Sequence, residues 1–215
     1  LSTRARPQRE KEERRQSILR AAREVFFEDG FHRATVDKVA QRAEVSKGTV
    51  YLYFESKETI LAHLILEGLH QLVGELERAY AADEPLSAEE RLRRLGQAYF
   101  RFFQREPVYY RFMMAMDRGR FQETVSPEIY RQVQQASMEG LNWVVRAVEQ
   151  GMADGEFDCQ DARRAAAALW ATVNGALGLV EHPLRRELVG MGREALYQAV
   201  TETVIRGLRA AKRKT

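Results

Sequence analysis

Apolar residues recur at helical spacing along nearly the whole chain, and no stretch alternates with period two as a half-buried strand would. The pattern predicts an all-α protein of about nine helices. A first helix places Ile18, Leu19, Ala22, Val25 and Phe26 on one face and stops at Asp29-Gly30. Thr35 caps a short helix carrying Val36, Val39, Ala40 and Ala43, with Asp37 in its first turn. Ser46 caps a second short helix that holds Val50 and Phe54. Ser56 then caps a long one whose Ile60, Leu61, Leu64, Ile65, Leu69, Leu72, Val73 and Leu76 form a continuous apolar stripe.

Beyond a linker at Asp83–Leu86, Ser87 and Glu90 form a capping box for a helix running to about Gln104. Pro107 opens an aromatic and methionine-rich segment, Val108 to Met116, followed by a polar loop from Asp117 to Thr124. Ser126 and Pro127 start a long helix that ends near Gly155. The next helix, Asp161 to Glu181, is stopped by His182-Pro183, and a last one spans about Gly190 to Arg209 before the basic tail Lys212–Lys214.

Composition narrows the class. Of 215 residues, 45% are hydrophobic and 30% charged, a mixture that builds a core and does not read as disordered. The single cysteine, Cys159, forms no internal disulfide, and no Cys/His spacing resembles a zinc site; a reducing, cytoplasmic setting without metal or cofactor is expected. The first thirty residues lack the apolar core of a signal peptide. Ala165 to Val180, the most apolar stretch, is short for a bilayer and carries Thr172, Asn174 and two glycines, so it is expected to be a buried helix and no membrane partner is expected.

Net charge is +3, and its placement is uneven: residues 1–62 carry 13 Lys+Arg against 10 Asp+Glu, while residues 63–215 carry 21 of each. Residues 1–15, with Arg4, Arg6, Arg9, Lys11, Arg14 and Arg15, read as a flexible basic arm able to lie along phosphates, or as a solvated tail that Glu10, Glu12 and Glu13 partly neutralise.

Residues 35–54 set two short capped helices on either side of the link Ala43-Glu44-Val45-Ser46, the layout of a helix-turn-helix. Ala40 and Ala43 allow close approach, and Val39, Val45, Val50 and Phe54 supply a small core. Lys47, Gly48, Thr49, Tyr51 and Tyr53 remain for the outward face, rich in donors and short enough for a major groove about 12 Å wide. An ordinary helical hairpin with a polar face has the same outline.

The run Thr35-Val36-Asp37-Lys38-Val39-Ala40-Gln41-Arg42-Ala43-Glu44-Val45-Ser46-Lys47-Gly48-Thr49-Val50-Tyr51-Leu52-Tyr53-Phe54, with Ser56-Lys57-Glu58 behind it and Ala21–Phe26 and Gly30-Phe31 ahead, resembles the DNA-binding signature of the TetR family. The resemblance implies a basic arm (1–15), a helix-turn-helix domain (16–62) and a helical effector-binding and dimerisation domain (63–215). It implies a repressor dimer that binds a palindromic double-stranded DNA operator and leaves it when a small effector binds. By the matching positions, Lys47, Gly48 and Tyr51 sit at base edges, Val36 touches a thymine methyl or the backbone, and Thr35, Thr49, Tyr53 and Lys57 grip phosphates. Glu44 departs from the pattern, standing where the family often has glycine in a turn that needs a left-handed residue, at a cost of ~1–2 kcal/mol.

In the remaining two thirds, Tyr99, Phe102, Phe103, Tyr110, Met113, Trp143, Trp170 and Asn174 suit a largely apolar effector cavity with few polar fixings, although a packed core uses the same residue types. The last two helices, small-faced at Ala165–Ala168, Ala171, Thr172, Gly175, Ala176, Gly178 and at Ala195, Ala199, Val200, Thr203, Val204, Gly207, suit a dimer surface. No Gly-x-Ser-x-Gly, His-Glu-x-x-His, Gly-rich phosphate loop or Cys-x-x-Cys occurs, so an enzyme is not expected. Intact Lys47, Thr49, Tyr51, Tyr53 and Lys57 argue against a helical scaffold that does not bind DNA.

Overall fold

The structure, a computed structural model, describes residues 5–117 and 121–210. Arg4, residues 118–120 and the tail Lys212–Lys214 lie outside the described residues, as do the side chains of Arg6, Met114 and Met116. Among the described residues eleven helices follow one another: α1 (Ala5–Asp29), α2 (Val36–Arg42), α3 (Lys47–Tyr53), α4 (Lys57–Tyr80), α5 (Ala88–Arg105), α6 (Pro107–Asp117), α7 (Phe121–Thr124), α8 (Pro127–Ala153), α9 (Ala162–Glu181), α10 (Pro183–Val189) and α11 (Arg193–Leu208). No β-strand occurs among the described residues.

Two helices exceed the expected nine. α7 is a single turn inside the polar loop. α10 forms because Pro183, which stops α9, has a φ suited to a first helical position; Gly190, left-handed at φ 65°, then ends it. Residues 5–15 also differ from expectation, since they are the first turns of α1. Pairs one turn apart support them: Arg9 Nε to Glu13 at 2.9 Å and Gln16 Nε2 to Glu12 at 2.8 Å.

The chain parts into two compact units, Leu1–His70 with Arg105–Ala136, and Gln71–Gln104 with Ser137–Thr215. Helices α4 and α8 each begin in the first unit and end in the second.

In the first unit, Ile18, Leu19, Ala22 and Phe26 of α1 are buried with Val39, Val50, Phe54 and Ile60, Leu61, Leu64, Ile65 of α4. Each of these side chains larger than alanine contributes about 1.5–3 kcal/mol by leaving water. Helix α6 joins this core. Phe112 meets Phe26 edge-on at 6.2 Å, and Tyr109 lies so close to α4 at Gly68 that a Cβ there would come within 2.5 Å of its ring. Only glycine permits that approach.

The second unit is closed by side chains that satisfy helix ends. Buried Arg91 donates to the carbonyls of Tyr80, Ala81 (2.7 Å) and Glu84 (2.8 Å), sealing the end of α4, where Ala81 is left-handed at φ 48°. The Glu156 carboxylate accepts the Ala88 and Glu89 amides, both at 3.2 Å, at the start of α5. Helix α11 packs along α9. The chain beyond it is pinned by Asp158 N to Leu208 O at 2.8 Å and Ala210 N to Glu156 O at 2.9 Å.

Candidate nucleic-acid interface

Helices α2 and α3 are each started by the cap residue that the pattern indicated. Thr35 Oγ1 accepts Lys38 N at 3.3 Å, and Ser46 Oγ accepts Thr49 N at 3.0 Å. Between them the chain turns through a Schellman arrangement, with Val45 N on Ala40 O at 3.0 Å and Glu44 N on Gln41 O at 3.2 Å. That pattern needs a left-handed residue, and Glu44 supplies it at φ 56°, as the family resemblance implied.

Val50 faces inward on α3, leaving Lys47, Gly48, Tyr51 and Leu52 exposed and Thr49 and Tyr53 half-buried. A Cβ at Gly48 would meet nothing nearer than Ser46 Oγ at 3.7 Å, so a close approach here is open from outside. Lys47 Nζ reaches Asp37 at 2.8 Å across the two helices, and this hydrogen bond raises the ammonium's pKa. Thr35 is exposed at the head of α2.

Two expected contacts are placed differently. Val36 is only 9% exposed and belongs to the inner face of α2, because it shares a side with Val39 and Ala40; it is not offered to a thymine methyl. Lys57, expected on a phosphate, is half-buried and turned inward: its Nζ donates to the carbonyls of Phe31 (3.1 Å), Ala34 (3.3 Å) and His32 (3.4 Å) and lies 4.7 Å from the centre of the Phe31 ring. One exposed residue of α3 was not among the expected contacts. Leu52 is 81% exposed in the middle of α3, and its periodicity signals it, since Val50 and Phe54 on either side are core positions.

Residues 16–62 carry seven Lys+Arg and seven Asp+Glu, so the excess charge of the N-terminal part lies wholly in residues 1–15. Arg42 bridges Glu24 (2.8 Å) and Glu28 (2.7 Å), and Lys38 holds Asp29 at 2.7 Å, which lowers that carboxyl's pKa. Behind α3, burial pushes His63 down to about 4, helped by the charge of Arg15. Arg15 Nη2 donates to His63 Nδ1 at 3.0 Å, so the neutral ring carries its proton on Nε2.

The expected effector residues divide between the units. In the second, Tyr99, Phe102 and Phe103 form a chain of ring contacts at 4.9 and 5.1 Å, and the Tyr99 hydroxyl donates to Asn174 Oδ1 at 2.9 Å. Trp143 instead packs on Tyr80 at 5.1 Å beneath Arg146. Trp170 is 54% exposed on the outer side of α9, because its neighbours Leu169 and Val173 take the inward positions. Tyr110, buried, and Met113, half-buried, belong to the first unit. A cleft of about 270 Å³ opens between α5 and α11 over Gly96, Phe100, Tyr197 and Thr201; none of the expected effector residues lines it.

A family model described as bacterial regulatory proteins, tetR family, matches residues 18–64, and one described as Tetracyclin repressor-like, C-terminal domain, matches residues 92–208. The chain belongs to the TetR family. The family is one of bacterial regulatory proteins. It is 41% identical over 75 residues to the fatty acid metabolism regulator protein of Bacillus subtilis, a stretch covering 35% of this chain and 38% of that one. It is 31% identical over 127 residues to the transcriptional activator FasR of Mycolicibacterium smegmatis, covering 59% and 55%. Both stretches thus span less than two thirds of the relative. Among solved structures, FadR of Bacillus subtilis in complex with stearoyl-CoA superposes with a TM-score of 0.68 at 25% identity, covering 90% of this chain and 99% of that one. No helix among the described residues is long and apolar enough to cross a membrane.

Proposed function

We propose that this regulator is a repressor that binds a palindromic operator as a homodimer in the cytoplasm and is released by a long-chain acyl compound such as an acyl-CoA thioester. The observation that carries the reading is the exposed edge of α3, Lys47, Gly48, Tyr51 and Leu52, set by two side-chain caps and a Schellman turn. A helix so presented enters the major groove, with Thr35, Thr49 and Tyr53 disposed toward the backbone.

Dimerisation through α9 and α11 is supported by the small residues left at the surface, Ala167, Ala171 and Gly175 on one helix and Ala195, Ala199 and Thr203 on the other. Exposed Trp170 belongs to this surface rather than to the effector site. An isologous patch of this kind repeats the same contacts about a two-fold axis.

The effector class comes from the relatives, whose names concern fatty acid metabolism and, in one structure, stearoyl-CoA. Half-buried Tyr99, beside the buried Phe102 and Phe103 and hydrogen-bonded to Asn174, supports an apolar site for an acyl chain in this unit.

Titrating a duplex selected by the protein from a random pool, with and without stearoyl-CoA, tests the reading. Release of DNA by the thioester is expected, and by linkage the duplex weakens thioester binding by the same factor; a hundredfold effect corresponds to about 2.7 kcal/mol. Tighter DNA binding with the thioester identifies a corepressor, and no effect removes the acyl class. Sedimentation showing a monomer at micromolar concentration removes the dimer.

A further inference from the structure

Lys57 opens α4, and its ammonium has no donor left to offer. We propose that Lys57 serves operator binding as a positioning residue: it fixes the turn between α1 and α2, and through that turn the recognition helix, without touching the DNA backbone. The proposal rests on the DNA-binding reading of α2 and α3.

An alkylammonium carries three N–H donors and accepts nothing. Here three carbonyl oxygens, those of Phe31, Ala34 and His32 at 3.1, 3.3 and 3.4 Å, take all three. The Phe31 ring, 4.7 Å away, faces the same cation. To reach a phosphate the amine must give up carbonyls in a half-buried place. The pair between Lys47 and Asp37 is different, a single exposed contact that water and salt readily replace.

The three carbonyls lie in the short turn that delivers Thr35 to the head of α2. The turn's own backbone bonds are few: Arg33 N and Ala34 N both reach Gly30 O, at 3.2 and 3.1 Å. Ala34 is buried, and the residue after it caps α2. Helix α2 packs on both α1 and α3, so a shift at its head displaces α3 as well. Lys57 therefore ties the start of α4 to the start of the helix-turn-helix, beside the contact of Phe31 with Phe26 at 5.4 Å and the Arg33 Nε bond to Asp29 O at 2.9 Å.

The test uses the full chain and a duplex that the wild type selects from a random pool. Association constants are measured from about 50 to 200 mM salt for the wild type, Lys57→Met and Phe31→Leu, since each phosphate contact contributes about 0.9 to the slope of log affinity against log salt. Lys57→Met is expected to lose about tenfold in affinity with the slope unchanged. Amide exchange at residues 31–35 should quicken in the DNA-free protein. Phe31→Leu, which removes no charge, is expected to show the same pattern at smaller amplitude, and it decides the matter alone if Lys57→Met does not fold. A slope for Lys57→Met shallower by about 0.9, with exchange at 31–35 unchanged, shows a phosphate contact and overturns the proposal. So does undiminished affinity in Phe31→Leu. A wild type that selects no duplex overturns the DNA-binding reading along with it, an outcome separate from either of these.

Discussion

The Tyr109 hydroxyl donates a 3.1 Å hydrogen bond to Glu67 Oε1, the same oxygen that Arg23 holds. One carboxylate on α4 thereby joins α1 and α6. Burial, then the Glu67 charge, raises the Tyr109 phenol to about 12, so it stays a donor throughout the working pH range. Tyr109→Phe removes the bond and leaves the Arg23–Glu67 pair in place; it is expected to cost about 0.5–1.5 kcal/mol of stability by denaturant titration. An unchanged midpoint would show that the clasp contributes nothing.

Glu44→Gly is expected to stabilise the protein by about 1 kcal/mol, because the left-handed backbone at φ 56° suits glycine and strains any other residue. Chemical denaturation measures the gain. A loss would mean that the Glu44 side chain contributes more than the strain removes.

The His63 ring is held below its unfolded pKa, at about 4 against 6.5, so between those values the unfolded chain binds the extra proton. Its contribution to stability is therefore full above pH 6.5 and falls as the pH drops toward 4. The difference in unfolding midpoint between the wild type and His63→Gln, followed across this window, isolates the effect from that of the carboxylates. A difference that does not vary with pH rules the ring out as its source.

Leu52→Ala should leave stability within about 0.5 kcal/mol, since the side chain is already in solvent. Its loss is expected to weaken binding to the selected duplex by removing an apolar contact to a thymine methyl. Replacing the contacted thymine by deoxyuridine checks this. The wild type should lose affinity on the uridine duplex and Leu52→Ala should not; equal losses in both proteins sink the assignment.

Much of this protein can be read from local pattern. Thr35, Ser46, Ser56 and Ser87 each cap the helix expected of them, because a cap is a contact across three residues. The left-handed turn at Glu44 was implied by the family resemblance rather than by the local pattern. Long-range choices were not readable from that pattern. Val36 sits at a helix start, where chain spacing alone does not decide which side faces a neighbour. Trp170 belongs to the outer side of α9, although tryptophan ordinarily suggests a core or a cavity. Lys57 was assigned by resemblance, and only three-dimensional placement brings it to carbonyls 23 to 26 residues away. Glu156, which caps α5 from 68 residues beyond Ala88, left no mark in the sequence near that helix.

The first compact unit is assembled from two stretches of chain that residues 71–104 separate. On the ribosome, Phe26 and Arg23 emerge long before Phe112 and Tyr109, which complete their surroundings. At about 5–20 residues per second, the nascent helix-turn-helix waits several seconds with the edge of Phe26 that later meets Phe112 uncovered. Throughout that interval water covers the patch that α6 later claims.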